Sequence, residues 1–238
     1  MPEGIFKIYY LSEAAVTVEF GQLITSNLLN AVNSLNILLY RQPFPGFHTT
    51  VPAYSTLTVF YDPVLVIKSD LPGADCFEKV SGYLNNLNPQ QKAVKPAMRN
   101  IVTIPVCYGG GFGPDLAEVA SLHQLSIAEV IKLHSAVTYK VYMIGFIPGF
   151  AYLGGMDERL STPRKLTPRK SVPAGAVGVA GLQTGVYPLE SPGGWQIIGQ
   201  TPVKLFDLTR REPSLLKSGD TVIFKAIDIK EFNKLATG

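Results

Sequence analysis

The sequence has few cysteines and lacks the features of an exported or membrane-spanning protein. Cys76 and Cys107 show neither metal-ligand nor redox-motif spacing, and thiols in intracellular proteins are usually reduced. The N-terminal segment has no basic stretch followed by a long apolar run, so we expect no signal peptide. The longest apolar run, residues 141–153, is interrupted by glycine and proline and is too short to span a bilayer. These absences predict a cytoplasmic protein that does not bind a membrane.

Charge of one sign is also scarce. The formal net charge is +3, and it comes entirely from residues 101–238, which carry 14 Lys and Arg against 11 Asp and Glu. Residues 1–100 carry seven of each. A nucleic-acid-binding protein presents a basic face or stripe, and so small an excess does not provide one. We therefore expect no nucleic-acid partner, and a local anion or acidic patch fits the basic residues better.

Catalytic and metal-binding signatures are missing as well. No serine, cysteine or threonine lies in a nucleophile-elbow motif, and His48, His123 and His134 do not show metal-ligand spacing. A glycine loop at residues 109–113 precedes a predicted helix, but it matches neither the P-loop nor the dinucleotide fingerprint, which favours a plain turn over phosphate binding. The sequence therefore predicts no metal site and no self-contained catalytic machinery, and it leaves the catalytic residues unknown.

Residues 1–90 predict a small α+β domain with two helices. Apolar residues at three- and four-residue spacing indicate a helix from 22 to 39, and Asp75 with Glu78 forms a capping-box pair for a second helix that reaches Leu84. An alternating segment predicts a strand at 50–61, and β-rich segments at 5–10 and 14–20 predict either two strands or one interrupted strand. Residues 91–100 lack periodicity, and we expect them to be a linker.

Residues 101–238 predict a β-barrel domain with two helices near its start. Asp115 with Glu118 and Ser126 with Glu129 are capping-box pairs, which place short helices at about 115–122 and 127–135. Short apolar segments separated by glycine and proline turns are typical of a closed or nearly closed barrel. They predict strands at 102–106, 141–147, 177–180, 196–199, 203–207 and 221–227.

Residues 142–206 are unusually rich in glycine, proline and aromatic residues. They hold 11 of the 22 glycines, seven prolines and the only tryptophan, a density that specifies backbone shape more than it fills a core. They also contain a basic loop, residues 159–170, with five Lys and Arg. The aromatic residues either form a binding pocket beside this loop or fill the barrel. For any single aromatic residue we favour the core, and for the stretch as a whole we favour a binding surface.

Within this stretch we predict nine ligand- or partner-binding residues. Arg164 and Arg169 each follow a proline, and a guanidinium on a restrained backbone can clamp a carboxylate or phosphate, although a solvated loop is an equal alternative. The others are aromatic or neutral polar residues beside that loop: Phe150, Tyr152, Gln183, Thr184, Tyr187, Ser191 and Trp195.

Several long motifs in one order resemble the KipI family, which is also called allophanate hydrolase subunit 1. The motifs begin at residues 104, 145, 162, 168, 183 and 191, with the sequences IPVCYGGGFGPDL, GFIPGFAYLGG, TPR, PRKSVPAG, QTGVYP and SPGGWQIIG. The resemblance is dense from about residue 100 onward and looser before it. It implies a cyclophilin-like barrel. The family more often has an acidic residue in place of Gly111 and an arginine in place of Gln200, so roles at these positions are not carried over.

The resemblance also implies a function, since the family includes subunits of ATP-dependent 5-oxoprolinase. Such a chain is a non-autonomous subunit that, with a KipA-like (PxpC) and a PxpA-like subunit, converts 5-oxoproline to glutamate, with ATP used at the level of the complex. Two alternatives stay open: a KipI-type inhibitor of a sensor histidine kinase, and a carboxyltransferase-type subunit of a urea carboxylase or allophanate hydrolase system.

Overall fold

The computed structural model describes residues 6–23, 25–87 and 100–237. The chain divides into two compact units, Met1–Met98 and Arg99–Gly238. Apart from Asn100, the linker predicted at 91–100 lies outside the described residues. Within the described residues, no helix combines the length and the apolar character needed to cross a membrane.

The N-terminal unit is a four-stranded antiparallel sheet with helices packed against it. In chain order its elements are β1 (Lys7–Ser12), β2 (Ala15–Glu19), α1 (Ser26–Arg41), β3 (Phe47–Pro52), β4 (Thr56–Tyr61), α2 (Pro63–Ile67) and α3 (Cys76–Asn86). The strand order is β1-β2-β4-β3. Val32, Leu35 and Leu39, which share one face of α1, are fully buried in the core of this unit with Leu57 and Val59 of β4.

Two predictions for this unit need correction. The single strand predicted at 50–61 is the hairpin of β3 and β4, which turns where Ala53 N donates to Thr56 O at 2.9 Å. The apolar alternation continues through this turn, so periodicity did not reveal the break. Helix α2 was not predicted, although Asp62 followed by proline is a helix-start signal and its Oδ1 accepts from Val64 N at 2.8 Å. By contrast, the helix that follows Asp75 is confirmed as α3.

The second unit is a closed barrel with additional helices. In chain order its elements are β5 (Ile101–Tyr108), α4 (Leu116–Leu122), α5 (Ile127–Ser135), β6 (Thr138–Ile144), β7 (Ala151–Gly154), β8 (Arg169–Val172), β9 (Ala176–Ala180), β10 (Gln183–Val186), β11 (Ser191–Gly193), β12 (Gln196–Gln200), β13 (Thr221–Ile227) and α6 (Ile229–Ala236). The barrel order is β10-β7-β6-β13-β5-β12-β9, and β11 pairs with β8 in a separate two-stranded sheet. The predicted α+β class with a barrel domain is confirmed.

The barrel is filled by side chains and has one parallel strand pair. β5 and β13 run parallel, whereas the other neighbouring strands of the barrel are antiparallel. The strand predicted at 203–207 is wrong: Phe206 forms only an isolated bridge with Ser214, and Leu205 is buried without belonging to a strand. Helix α6 was missed, although Asp228 caps it by accepting from Glu231 N at 2.8 Å.

Candidate functional site

Five aromatic side chains of the glycine-rich stretch form one cluster. Phe150 packs edge-on against Tyr152, Tyr187 and Trp195, with ring centroids 4.8, 5.3 and 5.4 Å apart. Phe150, Tyr187 and Trp195 are buried and Tyr152 is partly buried. Phe146 packs on Phe150 with centroids 5.6 Å apart and remains 61% exposed. Most of these rings therefore belong to the core, and the cluster reaches the surface at Phe146 and Tyr152.

Glycines allow these rings to approach the backbone. A Cβ at Gly193 would lie 2.4 Å from the Tyr187 hydroxyl oxygen, and a Cβ at Gly185 would lie 2.9 Å from Phe150 Cζ. Both distances are too short for any side chain, so only glycine fits beside the rings. The high glycine content of this stretch and its aromatic cluster are thus parts of one packing arrangement.

Phe146 adopts a strained backbone conformation. Its φ is 73°, in the left-handed region that bulky residues rarely enter. The surrounding turn is closed by a hydrogen bond from Gly145 N to Phe150 O of 2.8 Å. Such outliers cost about 1–3 kcal/mol and concentrate at functional sites. Phe146 was not among the nine predicted binding residues, and the aromatic residue between glycines in its motif was the available signal.

The basic loop has two exposed arginines, and one of them, Arg159, pairs with Asp157. Arg164 is exposed and forms no ion pair within the described part of the chain. Its charge acts on the neighbouring Tyr152: burial raises the pKa of this phenol, and Arg164 opposes the rise. An exposed guanidinium beside the aromatic cluster can meet an anion or an acidic side chain.

Arg169 is instead held within the unit by Asp115. Its Nη2 donates to Oδ1 of Asp115 at 2.6 Å, and Nζ of Lys165 lies 3.0 Å from the same oxygen. Oδ2 of Asp115 accepts from Ile197 N at 2.6 Å. Burial alone would raise the pKa of Asp115, but the hydrogen bonds from Arg169, Ile197 and Lys165 hold it below its usual value. One buried carboxylate therefore faces two cations of the basic loop.

This role of Asp115 corrects a prediction about α4. The helix predicted at about 115–122 is confirmed, but the capping box of Asp115 with Glu118 is wrong, because the Asp115 side chain makes no cap hydrogen bond. Its carboxylate faces the basic loop, and Glu118 Oε2 lies 3.2 Å from Nζ of Lys165. The pair at Ser126 and Glu129 does form a capping box, at the start of α5.

Three buried polar atoms on β8, β11 and β12 have no hydrogen-bond partner among the described residues. They are Nη1 of Arg169, Oγ of Ser191 and Oε1 of Gln196. Gln196, which was not predicted as a site residue, donates through Nε2 to Pro163 O at 3.2 Å and so contacts the basic loop. Buried polar atoms in native proteins nearly always have a partner. Water, a ligand or another chain would supply the partners of these three atoms.

Thr184 lies in a buried polar network. Its hydroxyl donates to Gly178 O at 3.0 Å, so it accepts from Nε2 of His134, which is 2.9 Å away. Nδ1 of His134 in turn accepts from the Tyr108 hydroxyl at 2.8 Å. Burial lowers the pKa of His134 to about 3, which keeps the imidazole neutral. The network joins α5 to β5 and β10 and gives both ring nitrogens of His134 a hydrogen-bond partner.

Comparison with known proteins identifies the family. The sequence profile of the carboxyltransferase domain, subdomain C and D, matches residues 6–216. The chain belongs to this family. A 5-oxoprolinase subunit of Bacillus subtilis (strain 168) is 46% identical over 229 residues, which cover 96% of this chain and 95% of that protein. The corresponding 5-oxoprolinase subunit of Escherichia coli O157:H7 is 40% identical over 218 residues, 92% of this chain and 94% of that protein. The resemblance to the KipI family is thereby confirmed.

Solved structures with a similar fold include chains of different length. PH0987 from Pyrococcus horikoshii is 43% identical, with a TM-score of 0.56, and the match covers 95% of this chain and 100% of that chain. TTHA0988 is 37% identical, with a TM-score of 0.76. The match covers 90% of this chain but only 40% of TTHA0988. The Kluyveromyces lactis urea amidolyase, at 16% identity and a TM-score of 0.75, shares the fold over 96% of this chain and 15% of its own.

In this member of the carboxyltransferase family, the nine predicted binding residues fall into separate groups. Four of them, Phe150, Tyr152, Tyr187 and Trp195, meet in the aromatic cluster. The other five lie on the basic loop (Arg164), on β8 where that loop ends (Arg169), on β10 (Gln183 and Thr184) and on β11 (Ser191). Phe146, Asp115 and Gln196 contact these groups and were not predicted as site residues. The participation of all these residues in binding stays a prediction.

Proposed function

We propose that this chain is a non-autonomous subunit of an ATP-dependent 5-oxoprolinase, which converts 5-oxoproline to glutamate. The observation that carries the proposal is its 46% identity to the Bacillus subtilis 5-oxoprolinase subunit over 96% of this chain and 95% of that protein. At this coverage the correspondence extends over both compact units. The Escherichia coli relative supports the same assignment at 40% identity.

The partners in this proposal are a KipA-like (PxpC) subunit and a PxpA-like subunit, with ATP used at the level of the complex. The geometry that supports a shared site is the set of unpartnered buried atoms on Arg169, Ser191 and Gln196. A second supporting feature is the surface formed by the exposed Phe146 and Arg164, whose loops are shaped in advance by glycine and proline. Association then costs little ordering entropy.

Within this surface, Arg164 is the cation that would meet an anion. Asp115 already lies against Arg169 and Lys165, whereas Arg164 has no ion pair within the described chain. The carboxylate of 5-oxoproline and an acidic side chain of the KipA-like subunit are both suitable partners, since a guanidinium binds carboxylates in two parallel hydrogen bonds.

Reconstitution from purified subunits tests the proposal. We expect 5-oxoproline-dependent ATP hydrolysis and glutamate formation only when this chain, the KipA-like subunit and the PxpA-like subunit are mixed, and no turnover by this chain alone. Full activity without this chain, or turnover by this chain alone, would contradict the proposal. Inhibition of a sensor histidine kinase without any contribution to 5-oxoproline turnover would assign the KipI-type role instead.

A further inference from the structure

An open groove lies on the N-terminal unit, formed where the β1–β2 turn meets α2 and the start of α3. Its volume is about 540 Å³, and the residues that carry the following argument are Tyr10, Glu13, Tyr61, Asp75, Cys76 and Phe77. This volume lies within the usual range of small-molecule sites, roughly 300–1,000 Å³.

A buried hydroxyl without a partner lies in the groove. Tyr61 is only 3% exposed, and its hydroxyl oxygen has no hydrogen-bond partner within the described part of the chain. Burial, together with the nearby Cys76, Tyr10 and Asp75, raises its pKa to about 12, so the phenol stays protonated. Tyr61 itself lines the groove, together with these three neighbours. A buried tyrosine hydroxyl normally has a partner, and a ligand in the groove would supply one.

The other residues that line the groove favour a cationic ligand. Glu13 and Asp75 are exposed carboxylates that form no ion pair in residues 6–23, 25–87 and 100–237, although Oδ1 of Asp75 accepts from Glu78 N at 2.8 Å. Tyr10 and Phe77 form an edge-on pair with centroids 6.2 Å apart. Two carboxylates repel anions, and aromatic faces attract ammonium and guanidinium groups.

We propose that this groove binds a small organic cation, an ammonium or guanidinium group on an apolar stem. The stem packs on the rings of Tyr10 and Phe77, the charged head lies between Glu13 and Asp75, and one of its N–H groups donates to the Tyr61 hydroxyl oxygen. The proposal does not depend on the 5-oxoprolinase assignment, and a failure of either leaves the other standing.

Titration of the full chain with three probes of equal length tests the charge preference. We expect n-hexylammonium to bind at least about tenfold more tightly than hexan-1-ol, and hexanoate to bind more weakly than either. Glu13→Gln lies in a turn outside the helix caps and should weaken ammonium binding by about three- to tenfold. Asp75→Asn, which preserves an N-cap residue, should do the same. Equal affinity for the ammonium and the alcohol would overturn the proposal.

Two further variants isolate the contributions of charge position and of the hydroxyl. Asp70→Asn removes an exposed carboxylate of the same unit that does not line the groove, and it should bind n-hexylammonium as the unmodified chain does. Tyr61→Phe removes only the hydroxyl and should weaken binding several-fold. If Tyr61→Phe and the Glu13→Gln/Asp75→Asn double variant, both folded, bind as the unmodified chain does, the groove is not the site.

Cys76 provides a direct reading of groove occupancy. Its Sγ donates to Pro63 O at 3.4 Å and borders the groove, whereas Cys107 is buried. Saturating n-hexylammonium should slow the labelling of Cys76 by a thiol reagent, and hexanoate should not. In the assembled complex with the KipA-like subunit, the labelling and its protection by the probe should persist. Protection by that subunit alone would show that the partner covers the groove and would overturn the small-molecule assignment.

Discussion

The cations of the basic loop differ in whether they form ion pairs, and an exposed arginine without an ion pair is the best candidate for partner binding. Asp115 lies against Arg169 and Lys165, while Arg164 is exposed without an ion pair in the described chain. In Arg164→Ala, assembly with the KipA-like subunit should weaken by about 2 kcal/mol, roughly 30-fold, while the free energy of unfolding should change by less than about 0.5 kcal/mol. Calorimetric titration and a thermal melt measure the two effects. Arg211→Ala, another exposed arginine of the same unit, is the matched control. Normal assembly by Arg164→Ala would place the docking surface elsewhere.

Trp195 behaves differently because it is a core residue. It is 5% exposed, and its ring lies 5.4 Å from that of Phe150. Trp195→Ala should therefore lower the free energy of unfolding by about 3–5 kcal/mol, as large-to-small core changes do. Chemical denaturation measures this loss, and Trp195→Phe should recover part of it. An unchanged denaturation midpoint in Trp195→Ala would mean that the ring is not part of the folded core.

The buried His134 should make stability depend on pH. Its pKa is about 3 in the folded state, against about 6.5 in the unfolded chain, so between these values the unfolded state binds more protons. The contribution of neutral His134 to the free energy of unfolding is fully present above pH 6.5. It falls with decreasing pH by up to about 1.4 kcal/mol per pH unit, so that about 2 kcal/mol is lost at pH 5. Denaturation curves at pH 7 and pH 5 measure the slope. His134→Gln should flatten it, and His48→Gln, which leaves the buried imidazole in place, should not. An equal slope in His134→Gln would assign the dependence to other groups.

The glycine loop before α4 is an element whose packing positions Asp115. A Cβ at Gly113 would lie 2.0 Å from Ile198 O, whereas a Cβ at Gly111 would meet nothing within 4 Å. Gly113→Ala should cost about 1–3 kcal/mol of stability because the backbone must move, while Gly111→Ala should be neutral or mildly stabilising. Urea denaturation of the two variants compares neighbouring positions in one loop. Equal costs at both positions would show that the loop does not pack closely on β12.

The elements that sequence reasoning found are those with local signals. Capping residues located α3 and α5, and glycine and proline spacing indicated the barrel. The elements it misassigned depend on what surrounds them. The apolar alternation at 203–207 reflects the burial of Leu205 without strand pairing, and the alternation at 50–61 continues through a hairpin turn.

The candidate site, too, could be predicted only as far as local sequence signals allow. The glycine-rich stretch predicted aromatic residues that either form a pocket beside the basic loop or fill the core, and the structure buries Phe150, Tyr187 and Trp195. The binding surface stays a prediction. The pairing of Asp115 with Arg169 spans 54 positions in the sequence, and local spacing carries no information about it. Asp before a helix is usually an N-cap, and this rule predicted a cap at Asp115. Only the folded chain brings Arg169 and Lys165 to the Asp115 carboxylate, where they replace the cap hydrogen bond.

For the whole molecule, we propose two domains, residues 1–90 and 101–238, joined by the linker at 91–100. Trypsin should cut first after Lys92 or Arg99, since exposed linkers are preferred sites of proteolysis and Lys95 is followed by proline. A fragment that begins at residue 93 or 100 should resist further digestion, as followed by mass spectrometry. The Lys92→Gln/Arg99→Gln double variant, which lacks both sites, should survive longer. First cuts within either compact unit would contradict the proposed boundary.

The two fragments should then differ in partner binding. Each compact unit has its own core, with Leu35 and Leu57 in the first and Val141 and Phe224 in the second, and a domain with its own core can fold alone. Residues 100–238 retain Phe146 and Arg164, so this fragment should bind the KipA-like subunit within about tenfold of the affinity of the whole chain, because a few residues dominate an interface. Residues 1–99 should not bind it detectably, and Arg164→Ala should weaken the longer fragment as much as it weakens the whole chain. Binding by the first fragment alone would place the docking surface on the N-terminal unit. The groove lined by Tyr10 and Phe77 would then be the next surface to test.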